Sequence, residues 1–183
     1  MGIRAFVALT SGWRACHLAD SNPRSTMSRP EPGSIAPDFE LPADDGTTVR
    51  LSALRGRPVV LYFYPKDDTP GCTTEACDFR DRQAQLQLAG DAVVLGVSAD
   101  SLKSHGKFRD KYSLPFRLLS DADRQVMHAY GVWGEKMMYG KTMEGVIRST
   151  YVIDQQGRIA RAWPKVSVKG HADEVLAAVQ ALV

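Results

Sequence analysis

Cys72 and Cys77 stand five residues apart in the stretch Tyr64–Cys77, YPKDDTPGCTTEAC. A cysteine can act as a nucleophile, a metal ligand or half of a disulfide, and its surroundings decide which. The stretch follows VVLYFY, a continuous β-prone run that suits a buried strand, and precedes a segment of helical composition. A strand-to-helix junction is the usual place for a site in an open α/β sheet. Thr69 suits an N-cap, Pro70 the first helical position, and Gly71 has no side chain to block close approach. Cys72 then falls in the first helical turn. Unpaired N–H groups and the positive dipole end favour an anion there, so a reactive thiolate is expected. The same residues would equally make an ordinary helix start with a small buried cysteine.

Cys77 carries the same ambiguity. Five helical residues rise about 7.5 Å and turn the side chains roughly 140° apart. Their Cα atoms are then about 8–9 Å apart, beyond the roughly 7 Å reach of a disulfide. Cys77 is either a core residue or a resolving thiol that bonds Cys72 only after the first turns unwind. Zinc fits poorly, because His17, His105, His128 and His171 are scattered and match no usual ligand spacing. A CxxC motif is absent, which counts against an ordinary dithiol reductase. Cys16 is remote from both and is expected to be incidental.

The elements that must position these thiols can be read around them. Phe39–Leu41 and Val49–Leu51 flank a turn-rich ADDGTT and suggest a hairpin. After Cys72, one helix is expected to run to about Leu88, with Ala76, Phe79, Ala84 and Leu88 near one face and Gly90 ending it. Ala92–Val97 reads as a second buried strand, Leu102–Tyr112 as a polar helix, FRLLSD as a short strand and Arg124–Tyr130 as a helix. Ser149–Ile153 and Arg158–Trp163 form a hairpin, and Ala172–Leu182 a closing amphipathic helix. Strands alternating with helices, then an antiparallel hairpin, imply an α/β fold with a mixed central sheet and helices on both faces. This is the element order of the thioredoxin-like fold with an added N-terminal hairpin.

Composition narrows the function. Of 183 residues, 44% are hydrophobic and 24% charged, enough for one domain with a real core. The net charge is +2, and residues 1–30 alone carry +3, so the body is nearly neutral and unsuited to nucleic acid. No stretch approaches the roughly 18 apolar residues of a membrane span. Three cysteines are too few for a disulfide scaffold, and a reducing, cytoplasmic compartment is expected. Residues 1–27 differ from the rest. They lack a sustained period and read as a disordered or transit-like extension, with Met27 as a working start; a transit peptide would instead imply an organelle. The domain proper is placed at residues 30–183.

The stretch PKDDTPGCTTEAC resembles the peroxiredoxin signature PxxxTxxC. A cysteine five residues later is similar to the bacterioferritin comigratory protein, or peroxiredoxin Q, branch. The likeness extends from APDFELPADDG through GVWGEKMMYGK to IRSTYVIDQQGRI. It implies a thiol peroxidase with Cys72 peroxidatic and Cys77 resolving. It also implies Thr69 with its hydroxyl beside the sulfur, Pro65 shielding the pocket and Arg148 as the family arginine. No metal or organic cofactor is implied. Hydroperoxide is the substrate, thioredoxin or a similar dithiol the reductant, and the chain a monomer. A guanidinium beside a thiolate stabilises it and can bond peroxide oxygens. Glu75 and Asp78 read as solvated helix residues, and Lys66, Asp67 and Asp68 as loop charges. Trp133 and Tyr139 could line substrate access or simply pack. Met137, Met138 and Met143 are flexible fillers.

Two rivals remain: a redox-regulated binding protein that uses the same pair as a switch, and a dithiol–disulfide oxidoreductase. Turnover separates the switch from the peroxidase. Removing residues 1–26 is expected to leave folding and specific activity unchanged, checked by thermal melting and a peroxide-consumption assay. Misfolding of the shortened chain would place the boundary elsewhere.

Overall fold

The computed structural model describes residues 29–138 and 141–183. The chain runs β1 (Glu40–Pro42), β2 (Thr48–Arg50), a 3-10 turn (Leu51–Leu54), β3 (Val59–Phe63), α1 (Pro70–Asp81), α2 (Gln83–Leu88) and β4 (Val93–Ser98). It continues through α3 (Leu102–Tyr112), β5 (Arg117–Ser120), α4 (Gln125–Ala129), β6 (Trp133–Met138), β7 (Lys141–Val146), β8 (Ser149–Ile153), β9 (Ile159–Trp163) and α5 (His171–Gln180). The central sheet has the order β5-β4-β3-β8-β9. β3 pairs parallel with β4 and antiparallel with β8, so the sheet is mixed, as the element order implied.

Every residue of β3 is buried, because the strand is central and both its faces are covered. Its side chains alternate between two cores. Val59, Leu61 and Phe63 join the β1–β2 hairpin (Leu41, Val49) and α4 (Val126, Met127). Val60 and Tyr62 join α1, α2, α3 and α5 through Phe79, Leu86, Phe108 and Val175. The helices therefore occupy both faces, and α1, which carries the two cysteines, packs on the Tyr62 side.

Two expectations about elements are corrected. The helix after Cys72 is not continuous to Leu88. It breaks at Arg82, whose backbone (φ −102°, ψ 2°) departs from the helix, and α2 starts afresh at Gln83. The break rotates the second segment, so Leu86 is buried while Ala84 and Leu88 face solvent. The β6–β7 hairpin, with Trp133 opposite Val146 and Gly134 opposite Gly145, was not anticipated. Met143 is exposed rather than filling a core, and Tyr139 lies outside the described residues. Trp133 is half-buried against the core, with the Arg124 guanidinium 4.4 Å from its ring centre. Among the described residues no helix is long and apolar enough to cross a membrane.

Tyr62 fixes one glycine. Its ring lies against the backbone of Gly96 on the neighbouring strand, and a Cβ at 96 would stand 2.6 Å from the tyrosine oxygen. The ring also stacks on Tyr64, with centroids 5.4 Å apart, and meets Phe79 of α1 at 5.0 Å. It therefore packs the sheet directly against the helix that carries the cysteines. Gly96→Ala is expected to cost about 1–3 kcal/mol by overpacking, read as a lower urea midpoint. An unchanged midpoint would mean that Tyr62 can move aside.

Candidate active site

The site forms where β3 ends and α1 begins. Thr69 has the extended backbone of an N-cap residue (φ −97°, ψ 150°), and Pro70 occupies the first turn. The Thr69 carbonyl accepts the Thr73 N–H at 2.8 Å, starting the helix. Its side chain does not cap it. The Thr69 hydroxyl instead donates to the Lys66 carbonyl at 3.0 Å and ties the loop to itself. Pro65 is half-buried in that loop, next to the fully buried Tyr64. Cys72 sits in the first turn with 2% of its surface exposed. Cys77 is half-buried on the same helix, and both are free thiols.

Sheet register brings in the distant arginine. β8 runs antiparallel to β3 with Ser149 opposite Phe63. Arg148, one residue earlier, thus lies level with the chain leaving β3. Its Nη2 donates to Cys72 Sγ at 3.2 Å, and its Nη1 donates to Glu75 Oε2. The guanidinium is largely buried, with 16% of the side chain exposed. A Cβ on Gly71 would stand 3.4 Å from that Nη2, so the glycine leaves room for the arginine to reach the sulfur. A buried cation thus stands at hydrogen-bond distance from the sulfur, at a helix N-terminus.

Glu75 is not the solvated residue its position in the sequence suggested; 1% of it is exposed. Residues 72 and 75 are three apart on the helix and share one face, so a single guanidinium serves both. Only Oε2 is bonded, and Oε1 is buried without a hydrogen-bond partner. Burial pushes the Glu75 carboxyl up to about 7, against the pull of Arg148. Arg148 is itself held above its ordinary range by Glu75 and Cys72, in spite of burial, and stays charged.

Asp67 is a second correction. It is buried, not a loop charge in solvent. His105 Nδ1 lies 2.9 Å from its Oδ2, and the Tyr64 hydroxyl donates to its Oδ1 at 2.7 Å. The bonds from His105 outweigh burial and hold the Asp67 carboxyl below its ordinary range. Asp68 is exposed, as expected, and paired with Lys111 at 2.7 Å. His171, scattered and unassigned in the sequence, is buried next to Phe79 and bonded to Thr150 at 2.8 Å; burial lowers it to about 4, so it is neutral. No group of three or more His, Cys, Asp or Glu among the described residues is arranged to hold a metal ion. The arrangement can therefore hold a sulfur anion beside a fixed cation, with a second thiol on the same helix.

Comparison with known proteins agrees with this chemistry. The AhpC/TSA family profile matches residues 32–162. The chain is 54% identical over 146 residues to a putative peroxiredoxin bcp of Coxiella burnetii, covering 80% of this chain and 96% of that one. Among solved structures it resembles Xanthomonas campestris bacterioferritin comigratory protein, with a TM-score of 0.74 and 47% identity over 78% of this chain and 90% of that one. That structure was described in the context of alkyl peroxide reduction, as a trapped intermediate/ligand complex. A PrxQ mutant of Xylella fastidiosa gives a TM-score of 0.79 at 40% identity, covering 84% and 98% of the two chains. The chain belongs to the AhpC/TSA family, the peroxiredoxins, which are thiol-dependent peroxidases. Within it, the likeness is to the Bcp or peroxiredoxin Q branch.

The buried Glu75 makes pH a probe of the site. A folded-state value near 7, above the ordinary 4.5, means the native protein keeps a proton that the unfolded chain has lost. Stability from this group is therefore full below pH 4.5 and declines as pH rises to about 7. Glu75→Gln is expected to flatten that decline in urea titrations between those pH values. Equal slopes in both proteins would mean that Glu75 is ionised throughout.

Proposed function

We propose that Cys72 is the peroxidatic nucleophile of a two-cysteine thiol peroxidase acting on hydrogen peroxide and organic hydroperoxides, and that Cys77 resolves it. The observation that carries this reading is the 3.2 Å contact between Arg148 Nη2 and Cys72 Sγ at the start of α1. The Cys72 thiolate attacks the near oxygen of ROOH and the O–O bond breaks. The departing RO⁻ takes a proton to become alcohol or water, leaving Cys72 as the sulfenic acid. Negative charge moves from sulfur to the leaving oxygen, so a fixed guanidinium within reach of both favours the transition state. The family likeness assigns Thr69 a hydroxyl beside the sulfur and Pro65 the shielding of the pocket; in this structure that hydroxyl donates to the Lys66 carbonyl.

Burial explains the need for a second cysteine. A sulfur in a residue 2% exposed is out of reach of a protein dithiol unless the chain moves. Cys77, half-buried, can carry the oxidising equivalent outward. Its thiolate attacks the sulfenic sulfur, hydroxide leaves as water, and an intrachain disulfide forms. The first turns of α1 must unwind, because residues five apart on a helix lie beyond disulfide reach. An external dithiol of the thioredoxin type then restores both thiols. Because the resolving cysteine is in the same chain, the cycle needs no second subunit, which supports a monomer. Free thiols suit a reducing, cytoplasmic setting.

Cys72→Ser is expected to abolish peroxide turnover with a thioredoxin system, because an alcohol is scarcely ionised near neutral pH. Cys77→Ser should react once with peroxide and stall as the sulfenic acid. Arg148→Ala should slow the peroxide step by roughly 2–4 kcal/mol of lost transition-state stabilisation. Stopped-flow measurement of each step reads all three. A Cys72→Ser variant that still turns over peroxide would overturn the assignment, and a single uncatalysed oxidation without recycling in wild type would favour a redox switch.

A further inference from the structure

The unwinding of α1 has to begin and end somewhere, and the structure marks both limits. On the N-terminal side, the loop from Tyr64 to Thr69 is fastened at several points. The Asp67 N–H donates to Asp100 Oδ2 at 2.8 Å, and its carboxylate is held by His105 of α3 and by the Tyr64 hydroxyl. His105 is fully buried, and the side-chain hydrogen bonds it makes all run from Nδ1 to Asp67 and Tyr64. Asp68 then adopts a left-handed backbone (φ +54°), which an L residue takes at a cost. Lys111 and the Tyr112 hydroxyl, both at the end of α3, bond its carboxylate at 2.7 and 2.6 Å.

On the C-terminal side, Arg80 Nη1 donates to the carbonyl of the same Tyr112 at 2.8 Å. Two residues on, at the helix break, Arg82 grips both oxygens of Asp173 in α5 at 2.5 and 2.8 Å. Between these anchors, the side-chain hydrogen bonds from α1 to the rest of the fold run from Cys72 and Glu75 to Arg148. Oxidation of Cys72 changes the sulfur acceptor on which one of them depends. One residue, Tyr112, thus grips the chain before the cysteines through its side chain and after them through its backbone.

We infer that α3 is a fixed brace for the resolving step, with His105 and Tyr112 holding the chain on either side of the cysteines so that unwinding is confined to about residues 70–79. This rests on the reading that Cys77 resolves Cys72. Under the brace, the loop bearing Pro65 and Thr69 keeps its shape through the cycle. The unwound segment also keeps its end-to-end span, which limits the conformations Cys77 must search before it meets the sulfenic sulfur. His105, Asp67, Tyr112 and Arg80 are positioning residues, since none of them contacts the sulfur.

The test compares full-length wild type, Asp67→Asn, Arg80→Met and Arg80→Lys by hydrogen exchange in the reduced and peroxide-oxidised states. Stopped-flow rates for the peroxide and resolving steps are measured in parallel. Oxidised wild type should lose protection over about residues 70–79 and keep it in 64–69 and 81–88. Arg80→Met should extend the loss into 81–88 and slow the resolving step by about threefold, the closure cost of roughly doubling the mobile segment that Cys77 must search, with the peroxide step unchanged. Arg80→Lys, which keeps a donor, should restore the wild-type boundary. Asp67→Asn should extend the loss into 64–69 and slow the peroxide step by about tenfold through misplacement of the loop. A global loss of structure would lower protection in β3 and β8 as well, so local loosening is separable from misfolding. If the disulfide forms in wild type but opening runs through 64–69 or 81–88, the brace is wrong. If Arg80→Met leaves both boundary and rates unchanged, Tyr112 does not set the limit. If mass spectrometry finds no Cys72–Cys77 bond, the resolving role of Cys77 fails first, and the brace with it.

Discussion

The site depends on one buried guanidinium. Arg148 is shared between a sulfur and a carboxyl group on the same helical face, and removing it would leave both buried without their donor. Its burial is what makes it effective: charge interactions strengthen as water is excluded. The same burial makes Glu75 costly to ionise. The helix N-terminus, Gly71 and the β3–β8 register each act to bring that cation and the sulfur together.

Rigidity and mobility are divided along the chain. The sheet strand β3 is buried on both faces, and the loop after it is tied to α3 and to Asp100. Past Arg82 the chain is tied to α5. Between these lies a helix of three turns, tied by side-chain hydrogen bonds to Arg148 near its start and through Arg80 to Tyr112 near its end. A short helix between firm ends can loosen locally while the chain on either side keeps its place.

Local signals in the sequence were read well, and non-local ones less so. β3, the start of α1 at Pro70, α3 and the β8–β9 hairpin were legible, because a β-prone run, an N-cap with proline and a turn glycine act within a few residues. Arg148 sits 76 positions from Cys72, and only the resemblance to peroxiredoxins pointed to it. Glu75 was misread because an acid in the first turns of a helix is usually solvated; its burial depends on a partner from another strand. Asp67 was misread for the same reason, with His105 as the distant partner, although an acid three residues after the Tyr64 that closes VVLYFY was the available signal. The break at Arg82 escaped because QAQLQL keeps good helix propensity on either side of it. The β6–β7 pairing escaped because WGEKMM and KTMEGV lack a β-branched alternation.

The register that sets Ser149 against Phe63 also bears on synthesis at the ribosome. Cys72 is made long before Arg148, and the strand carrying the arginine reaches its place only when β8 inserts beside β3. Until then the growing chain holds a cysteine without its cation. In a nascent or partly unfolded copy the guanidinium contact to the sulfur is absent. It arrives with the last strands of the sheet, so the pairing of sulfur and guanidinium is itself a mark of the completed domain.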